Sequence, residues 1–341
     1  MLHKTKIRIN PTELPSEILT DPYNFFSHDL FDDLQIVPTK KFLKKRHGGK
    51  AYIHFGPSNS ITVEITLEPG NRLRAQSYTF NPTKLIWGHN GASLTSMEFP
   101  LAICLLVDHL EQLFESRDVA LSLIPGFAPN NHTWFEMLEI ATHRFDPVLS
   151  LFNAFNGASH PCSQKRRVTL GESVRIGNKR SKTAIVISRR QVTMPLNYEE
   201  SNVSCDEDVL RLEVILKNDH LYREFNAISS PSVVFQDING IPRLTRFSGD
   251  DLMPVYRNVM SRCKGPHDDA SLSKDRTNAF DSFIEQCHHG LSEEHSNTDY
   301  DFEDLYYKAS RETTNKMGLI RSACMQQRER SALSTQSSSA R

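Results

Sequence analysis

A β-hairpin signal in the first quarter of the chain constrains its fold most strongly. Residues 51–55 (AYIHF) and 61–65 (ITVEI) alternate between polar and apolar side chains and are rich in β-branched and aromatic residues. Between them lies Gly56-Pro57-Ser58-Asn59, a composition typical of turns. The sequence therefore predicts two antiparallel strands here.

Three other segments predict strands. Residues 4–9 alternate between polar and apolar side chains, and residues 174–188 contain a second hairpin around a basic turn. Residues 210–216 alternate so that Arg211 and Glu213 share one face of a strand.

Two segments predict helices. Thr95 and Glu98 form a capping-box pattern in front of an apolar stretch from about Phe99 to Phe114. Residues 134–142 also predict a helix or a helical turn. We therefore expect an α+β protein, built as an antiparallel sheet with flanking helices.

Composition divides the chain into two parts. Hydrophobic residues make up 38% of the 341 residues, which is lean for a compact enzyme of this length. From about Gly265 the apolar periodicity thins, acidic stretches appear, and the chain ends in SALSTQSSSAR. We expect residues 1–264 to fold, and residues 265–341 to form helical fragments and a disordered tail.

Charge and cysteine content narrow the classes of protein to which this chain could belong. The formal net charge of −1 gives no global basic field, so attraction to nucleic acid would have to be local. The six cysteines show no Cys-x-x-Cys spacing, which argues against a zinc ribbon or a disulfide framework. The longest apolar run, residues 101–107, is too short to span a bilayer. We expect a cytoplasmic protein that does not contact membranes.

Three short segments each place a potential metal ligand beside a phosphate-binding side chain. These ligands are His89, Asp146 and Glu213, an imidazole and two carboxylates. Such a set suits Mg²⁺ or Mn²⁺, which act on phosphodiesters by polarising phosphoryl oxygens. Each residue also has an ordinary structural interpretation. His89 could be a loop histidine, Asp146 a surface ion-pair partner of Arg144, and Glu213 a solvent-facing charge.

Basic and amide side chains provide candidate contacts to DNA phosphates. The densest group runs from residue 165 to residue 190, and a solvated basic loop is its alternative interpretation. The candidate DNA-binding residues are Lys84, Asn90, Arg144, Arg211, Lys165, Arg166, Arg167, Lys179, Arg180 and Lys182.

Taken in order, these motifs resemble those of the filamentous-phage replication initiation proteins of the II/X type. The resemblance covers roughly residues 50–230. It rests on the Asn-x-x-Lys and Gly-His-Asn loop of residues 81–90, on Arg144-Phe145-Asp146, and on the Leu-Arg-x-Glu strand of residues 210–213.

The resemblance implies site-specific nicking of one DNA strand at a phage or plasmid origin, followed by strand transfer, to start rolling-circle replication. It implies a tyrosine nucleophile and a divalent metal at Asp146 and Glu213, with His89 as a weaker ligand. It also implies the cytoplasm of a bacterial host, where host replication proteins are possible partners.

The nucleophile is the point at which this chain departs from the family. Counting from Gly177 leads to Ser188 where the family carries its tyrosine, and Tyr198 and Tyr222 are substitute candidates. Serine needs strong activation to act as a nucleophile. The chain could therefore also be a DNA-binding regulator that does not cut, or an interaction protein with no nucleic-acid role.

Overall fold

The structure is a computed structural model of the full chain. It describes residues 2–14, 35–44, 47–87, 98–127, 132–145, 150–155, 157–161, 166–169, 173–178, 180–190, 209–265 and 274–289.

Ten of the described strands form one sheet, in the order β2-β3-β4-β5-β1-β6-β10-β9-β8-β7, and every neighbouring pair is antiparallel. Two meanders, β2–β5 and β7–β10, therefore flank the central pair β1 and β6. A separate hairpin contains β11 and β12. The strands are β1 Leu2–Glu13, β2 Gln35–Pro38, β3 Lys50–Phe55, β4 Ile61–Leu67, β5 Leu73–Phe80, β6 Trp134–Phe145, β7 Arg166–Thr169, β8 Ser173–Ile176, β9 Thr183–Arg190, β10 Val209–Lys217, β11 Val234–Ile238 and β12 Ile241–Arg246.

Most of the described helices are short. None of the described helices is long and apolar enough to cross a membrane. The helices are α1 Lys40–Leu43, α2 Pro82–Trp87, α3 Glu98–Phe114, α4 Arg117–Ser122, α5 Ser150–Phe155, α6 Asp219–Ala227, α7 Leu252–Met260 and α8 Lys274–His289.

Helices α3, α4, α6 and α7 pack on one face of the large sheet, which we call the helical face. The Tyr78 hydroxyl donates to the carbonyl of Leu123, just after α4, at 3.0 Å. Phe247 contacts Phe135 of β6 and also rings of α3 and α6. The Thr142 hydroxyl donates to the Tyr256 hydroxyl of α7 at 2.8 Å. The main core therefore lies between these helices and the sheet.

The opposite face, which we call the polar face, carries the alternate residues of the same strands. The register places Lys4 of β1 opposite Glu139 of β6, and Glu139 opposite Ile215 of β10. Glu64 of β4 lies opposite Ser77 of β5 on the same face. Charged side chains are therefore concentrated on this side of the sheet.

The expected α+β class and antiparallel sheet are confirmed. Both expected hairpins form, as β3–β4 and β8–β9, and the expected apolar helix is α3. The strand at residues 210–216 is β10, and Arg211 and Glu213 share one face of it, as the alternation predicted. The register makes this the polar face.

The helix predicted at residues 134–142 is wrong, because Trp134–Phe145 is strand β6. Lys6 pairs with Met137 while Ile7 pairs with Phe135, so β6 carries one extra residue at this bulge. Phe135 and Leu138 consequently both face the core at a spacing of three residues. That spacing resembles the periodicity of a helix.

Helix α8 lies beyond residue 264, in the segment where helical fragments are expected. Helix α8 contributes Phe280 and Phe283, whose ring centroids lie 5.0 and 5.7 Å from that of Phe155 in α5. Helix α8 is thus part of the hydrophobic core.

Candidate functional site

Two carboxylates and a histidine meet in the middle of the polar face. Glu139 and Glu213 lie on neighbouring strands as diagonal neighbours, because Glu139 pairs with Ile215 and Glu213 pairs with Ala141. His3 joins them from β1. We call His3, Asn81, Glu139, Arg211 and Glu213 the His3 cluster.

A β-bulge brings His3 to this face. Leu2 pairs with Ile140 and Lys4 with Glu139, so His3 is an extra residue between two consecutive pairs. Simple alternation would have placed His3 and Lys4 on opposite faces of β1. The bulge lets His3 contact the same carboxylates that Lys4 approaches.

The His3 ring lies between the two carboxylates. Its Nδ1 atom is 3.3 Å from Glu139 Oε2 and 3.6 Å from Glu213 Oε1. The three side chains are only 10–15% exposed. Water therefore screens these charges poorly, and each depends on its neighbours for stabilisation.

Arg211 binds Glu213 from within the same strand. Its Nε atom lies 2.7 Å from Glu213 Oε1, and the arginine side chain is 1% exposed. A buried guanidinium needs such a partner, since an uncompensated buried charge is strongly destabilising. Arg211 thus holds the Glu213 carboxylate in place in this conformation.

Asn81 closes the cluster on the other side of the histidine. Its side-chain Nδ2 lies 3.1 Å from His3 Nε2, and its Oδ1 accepts a hydrogen bond of 3.0 Å from the backbone N–H of Lys84. Asn81 therefore caps the first turn of α2 with one end of its amide and contacts His3 with the other.

Burial raises the pKa of Glu139, although four nearby cations favour its charged form. These cations are Lys4, Arg211, Arg175 and Lys217. Burial likewise lowers the pKa of Lys217, and Arg175 acts in the same direction. The polar face thus combines buried carboxylates with a surrounding ring of positive charge.

The donor set of the cluster has the chemistry of a divalent-cation site, one imidazole nitrogen and two carboxylates. Two ligand atoms that each lie about 2.1 Å from one cation, with a ligand–cation–ligand angle of about 90–110°, are about 3.0–3.5 Å apart. The His3–Glu139 and His3–Glu213 distances are close to that range. As the side chains stand, however, the described residues contain no group of three or more His, Cys, Asp or Glu that could hold a metal ion. The present arrangement is therefore an ion-pair cluster.

Of the three ligands proposed from sequence, only Glu213 is among the described residues. His89 and Asp146 lie outside them, and their assignment stays a prediction. Among the described residues, the histidine beside Glu213 is His3, which also contacts Glu139. Sequence reasoning missed both, since β6 was interpreted as a helix and His3 precedes the alternating segment that it recognised.

The structure separates the candidate nucleophiles. Ser188 lies on β9 directly opposite Arg211, on the polar face, and is 9% exposed. Tyr222 lies on α6, and its ring meets Phe235 of the small hairpin at 4.8 Å. Helix α6 packs on the helical face, so the sheet separates Tyr222 from Glu213. Tyr198 lies outside the described residues.

The candidate DNA-binding residues are spread over several elements. Lys84 lies on α2, and its Nζ donates to the carbonyl of Ser58 at 3.3 Å. Arg180 and Lys182 lie in the exposed turn between β8 and β9, where Lys182 pairs with Asp219 at 2.7 Å. Arg144 belongs to β6, and Arg166 and Arg167 belong to β7. Asn90, Lys165 and Lys179 lie outside the described residues.

Comparison of the chain with models of protein families and with curated protein sequences found no match.

Proposed function

We propose that this protein binds DNA on the polar face and cuts one strand with the help of a divalent cation held beside Glu213. In this proposal the cut starts rolling-circle replication of a phage or plasmid. The observation that carries the proposal is the histidine between two poorly exposed carboxylates, beside a buried arginine, on the side of the sheet opposite the helices.

Glu213, Glu139 and His3 would hold Mg²⁺ or Mn²⁺. A bound cation of this kind polarises a phosphoryl oxygen and neutralises charge that develops on it. Arg211 orients the Glu213 carboxylate through the 2.7 Å ion pair. Lys4, Arg175 and Lys217 raise the local positive potential, which favours approach of the DNA backbone.

The nucleophile is a hydroxyl group in this proposal. Its oxygen would release a proton to solvent and form a bond to phosphorus while the bond to the 3′ oxygen of the neighbouring nucleotide breaks. The 3′ oxygen would take up a proton from solvent, which leaves a free 3′-OH and a 5′-phosphoryl protein adduct. Among the described candidates, Ser188 is on the same face as Glu213. Tyr198 is the remaining candidate from the sequence.

The test is Mn²⁺-dependent nicking of a supercoiled plasmid that carries DNA flanking this protein's own coding sequence. We expect open-circular product and a covalent adduct, and mass spectrometry of the adduct identifies the nucleophile. Glu213→Gln should abolish both products, whereas Glu111→Gln, an exposed carboxylate on α3, should leave them unchanged. Undiminished nicking by Glu213→Gln would refute the role of this site.

A second candidate function is DNA binding without cleavage. It is favoured by the low exposure of Ser188 and by the ion pair that Arg211 already makes with Glu213. Retention of plasmid DNA at low salt without nicking in Mg²⁺ or Mn²⁺ would support this function over the first.

A further inference from the structure

We infer that Asn81 determines which ring nitrogen of His3 carries the proton, and that it thereby couples cation binding to the capping of α2. The first half of this inference concerns the protein alone. The second half rests on the proposed function, because it needs a cation at the His3 cluster.

The orientation of the Asn81 amide follows from its contact with α2. A backbone N–H can only donate, so the atom that receives the Lys84 N–H at 3.0 Å must be the amide oxygen. The other end of the amide, its NH₂ group, then faces His3 Nε2 at 3.1 Å. This orientation of the amide follows from the Lys84 N–H alone, whichever tautomer His3 adopts.

The orientation of the amide fixes the position of the histidine proton. An NH₂ group donates, so His3 Nε2 must accept, and it can do so only without a proton. The ring proton of a neutral His3 is therefore on Nδ1. Nδ1 is the nitrogen that lies 3.3 and 3.6 Å from the two carboxylates, whose negative charge stabilises a proton there.

A cation on Nδ1 requires the other arrangement. The ligating nitrogen must present its lone pair, so Nδ1 releases its proton to solvent and Nε2 takes one up, with no net change in charge. Nε2–H would then oppose the NH₂ group of Asn81. Rotation of the amide by half a turn removes that conflict, but it takes the oxygen away from the Lys84 N–H.

Cation binding through His3 and capping of α2 by Asn81 therefore exclude each other. Asn81 is the N-cap of α2, since its carbonyl also accepts from the Leu85 N–H at 3.0 Å. Loss of a side-chain cap weakens the first turn of a helix. Binding of a cation would thus loosen the segment that carries Lys84, a candidate phosphate contact.

An aspartate at position 81 would remove the exclusion. One carboxylate oxygen can accept from the Lys84 N–H while the other accepts from His3 Nε2–H. A carboxylate behind a histidine also favours metal ligation by the opposite ring nitrogen. Asn81→Ser is the matched control, because serine also caps helices but places no NH₂ group at Nε2.

The primary experiment is ¹⁵N NMR of the histidine rings in the full-length protein without metal at slightly alkaline pH, with His3 assigned by His3→Gln. We expect Nε2 to be unprotonated in the wild type, with the ring proton on Nδ1, and to be protonated in Asn81→Asp. A protonated Nε2 in the wild type, or an unprotonated Nε2 in both proteins, would overturn the inference.

Titration with Mn²⁺ alone tests the coupling. Asn81→Asp should bind Mn²⁺ about ten-fold more tightly than the wild type. The Lys84 amide should exchange faster on Mn²⁺ binding in the wild type but not in Asn81→Asp. Equal affinity of the two proteins, with weaker binding by His3→Gln, would overturn the coupling and leave the cation site standing. If none of the proteins binds Mn²⁺, the proposed cation fails, the coupling fails with it, and the NMR result alone decides the first half of the inference.

Discussion

At the scale of single residues, burial decides which charges of this protein matter. The Arg211–Glu213 and Arg117–Glu111 pairs have the same N–O distance, 2.7 Å. The side chains of the first pair are 1% and 10% exposed, and those of the second are 56% and 38% exposed. Because the two pairs differ in burial, we expect them to contribute unequally to stability despite their equal N–O distances.

Glu213→Gln is expected to lower the free energy of unfolding by about 3–5 kcal/mol, because it removes the carboxylate charge that lies 2.7 Å from the buried Arg211 guanidinium. Glu111→Gln should change it by about 1 kcal/mol at most, since water and salt screen that pair. Urea denaturation of both variants measures the difference. Similar small changes in the two proteins would contradict the ion pair's structural role.

His160 is expected to contribute to acid unfolding. The ring is buried, its Nε2 lies 3.2 Å from the Val259 carbonyl, and burial followed by the charge of Arg262 lowers its pKa to about 4. The unfolded chain takes up this proton near the ordinary pKa of about 6.5. Stability that is present above pH 6.5 is therefore lost as the pH falls towards 4, by about 3 kcal/mol in total.

The check is His160→Gln, which keeps a hydrogen-bond donor but does not titrate. Its free energy of unfolding should fall less than that of the wild type between pH 7 and pH 4.5. An identical fall in both proteins would show that other groups control acid unfolding.

At the scale of elements, simple alternation identified strands β3, β4 and β10 from the sequence but failed at the bulges. An extra residue in β6 gave Phe135 and Leu138 a helical spacing, and an extra residue in β1 brought His3 onto the polar face. Both bulges arise from pairing between strands that are more than 100 residues apart. Local sequence does not encode that pairing, so Glu213 could be found from the sequence, whereas its neighbours His3 and Glu139 could not.

The segment after α4 approaches strand β12 closely at Gly126. Its φ is +74°, and a Cβ atom there would lie 2.8 Å from the Thr245 carbonyl oxygen of β12. Gly240, in the β11–β12 turn, has a similar φ of +76° but no atom within 4 Å of such a Cβ. Comparison of alanine substitutions at the two glycines therefore distinguishes the cost of backbone strain from the cost of steric contact.

Gly240→Ala should cost about 1–2 kcal/mol from the left-handed backbone alone. Gly126→Ala should cost more, because the Thr245 carbonyl must also move. Thermal unfolding followed by circular dichroism compares the two. Equal losses would show that the chain at Gly126 can shift freely away from β12.

At the scale of the whole molecule, the large sheet separates two kinds of surface. Helices bury one face, while the other concentrates charged side chains around the His3 cluster. The net charge of −1 hides this division, so overall composition gives no sign of the charged face.

If the proposed function is right, DNA affinity should fall steeply as salt rises, since each phosphate contact releases counterions. Arg180→Gln, in the exposed β8–β9 turn, should weaken binding and reduce the slope of log affinity against log salt by about 1. Arg117→Gln, on the helical face, should change neither. Filter binding across a salt series gives both quantities, and equal slopes in all three proteins would remove the turn from the interface.

In the proposed function, His3, Glu139 and Glu213 together hold a divalent cation. Titration of the full-length protein with Mn²⁺, followed by electron paramagnetic resonance, measures this binding. Glu64→Gln is the matched control, because Glu64 is also a buried carboxylate on the polar face but is paired with lysines. We expect one Mn²⁺ per chain in the wild type and in Glu64→Gln, and at least about ten-fold weaker binding in His3→Gln and Glu213→Gln. Binding that is equal in all four proteins, or absent from the wild type, would contradict the account.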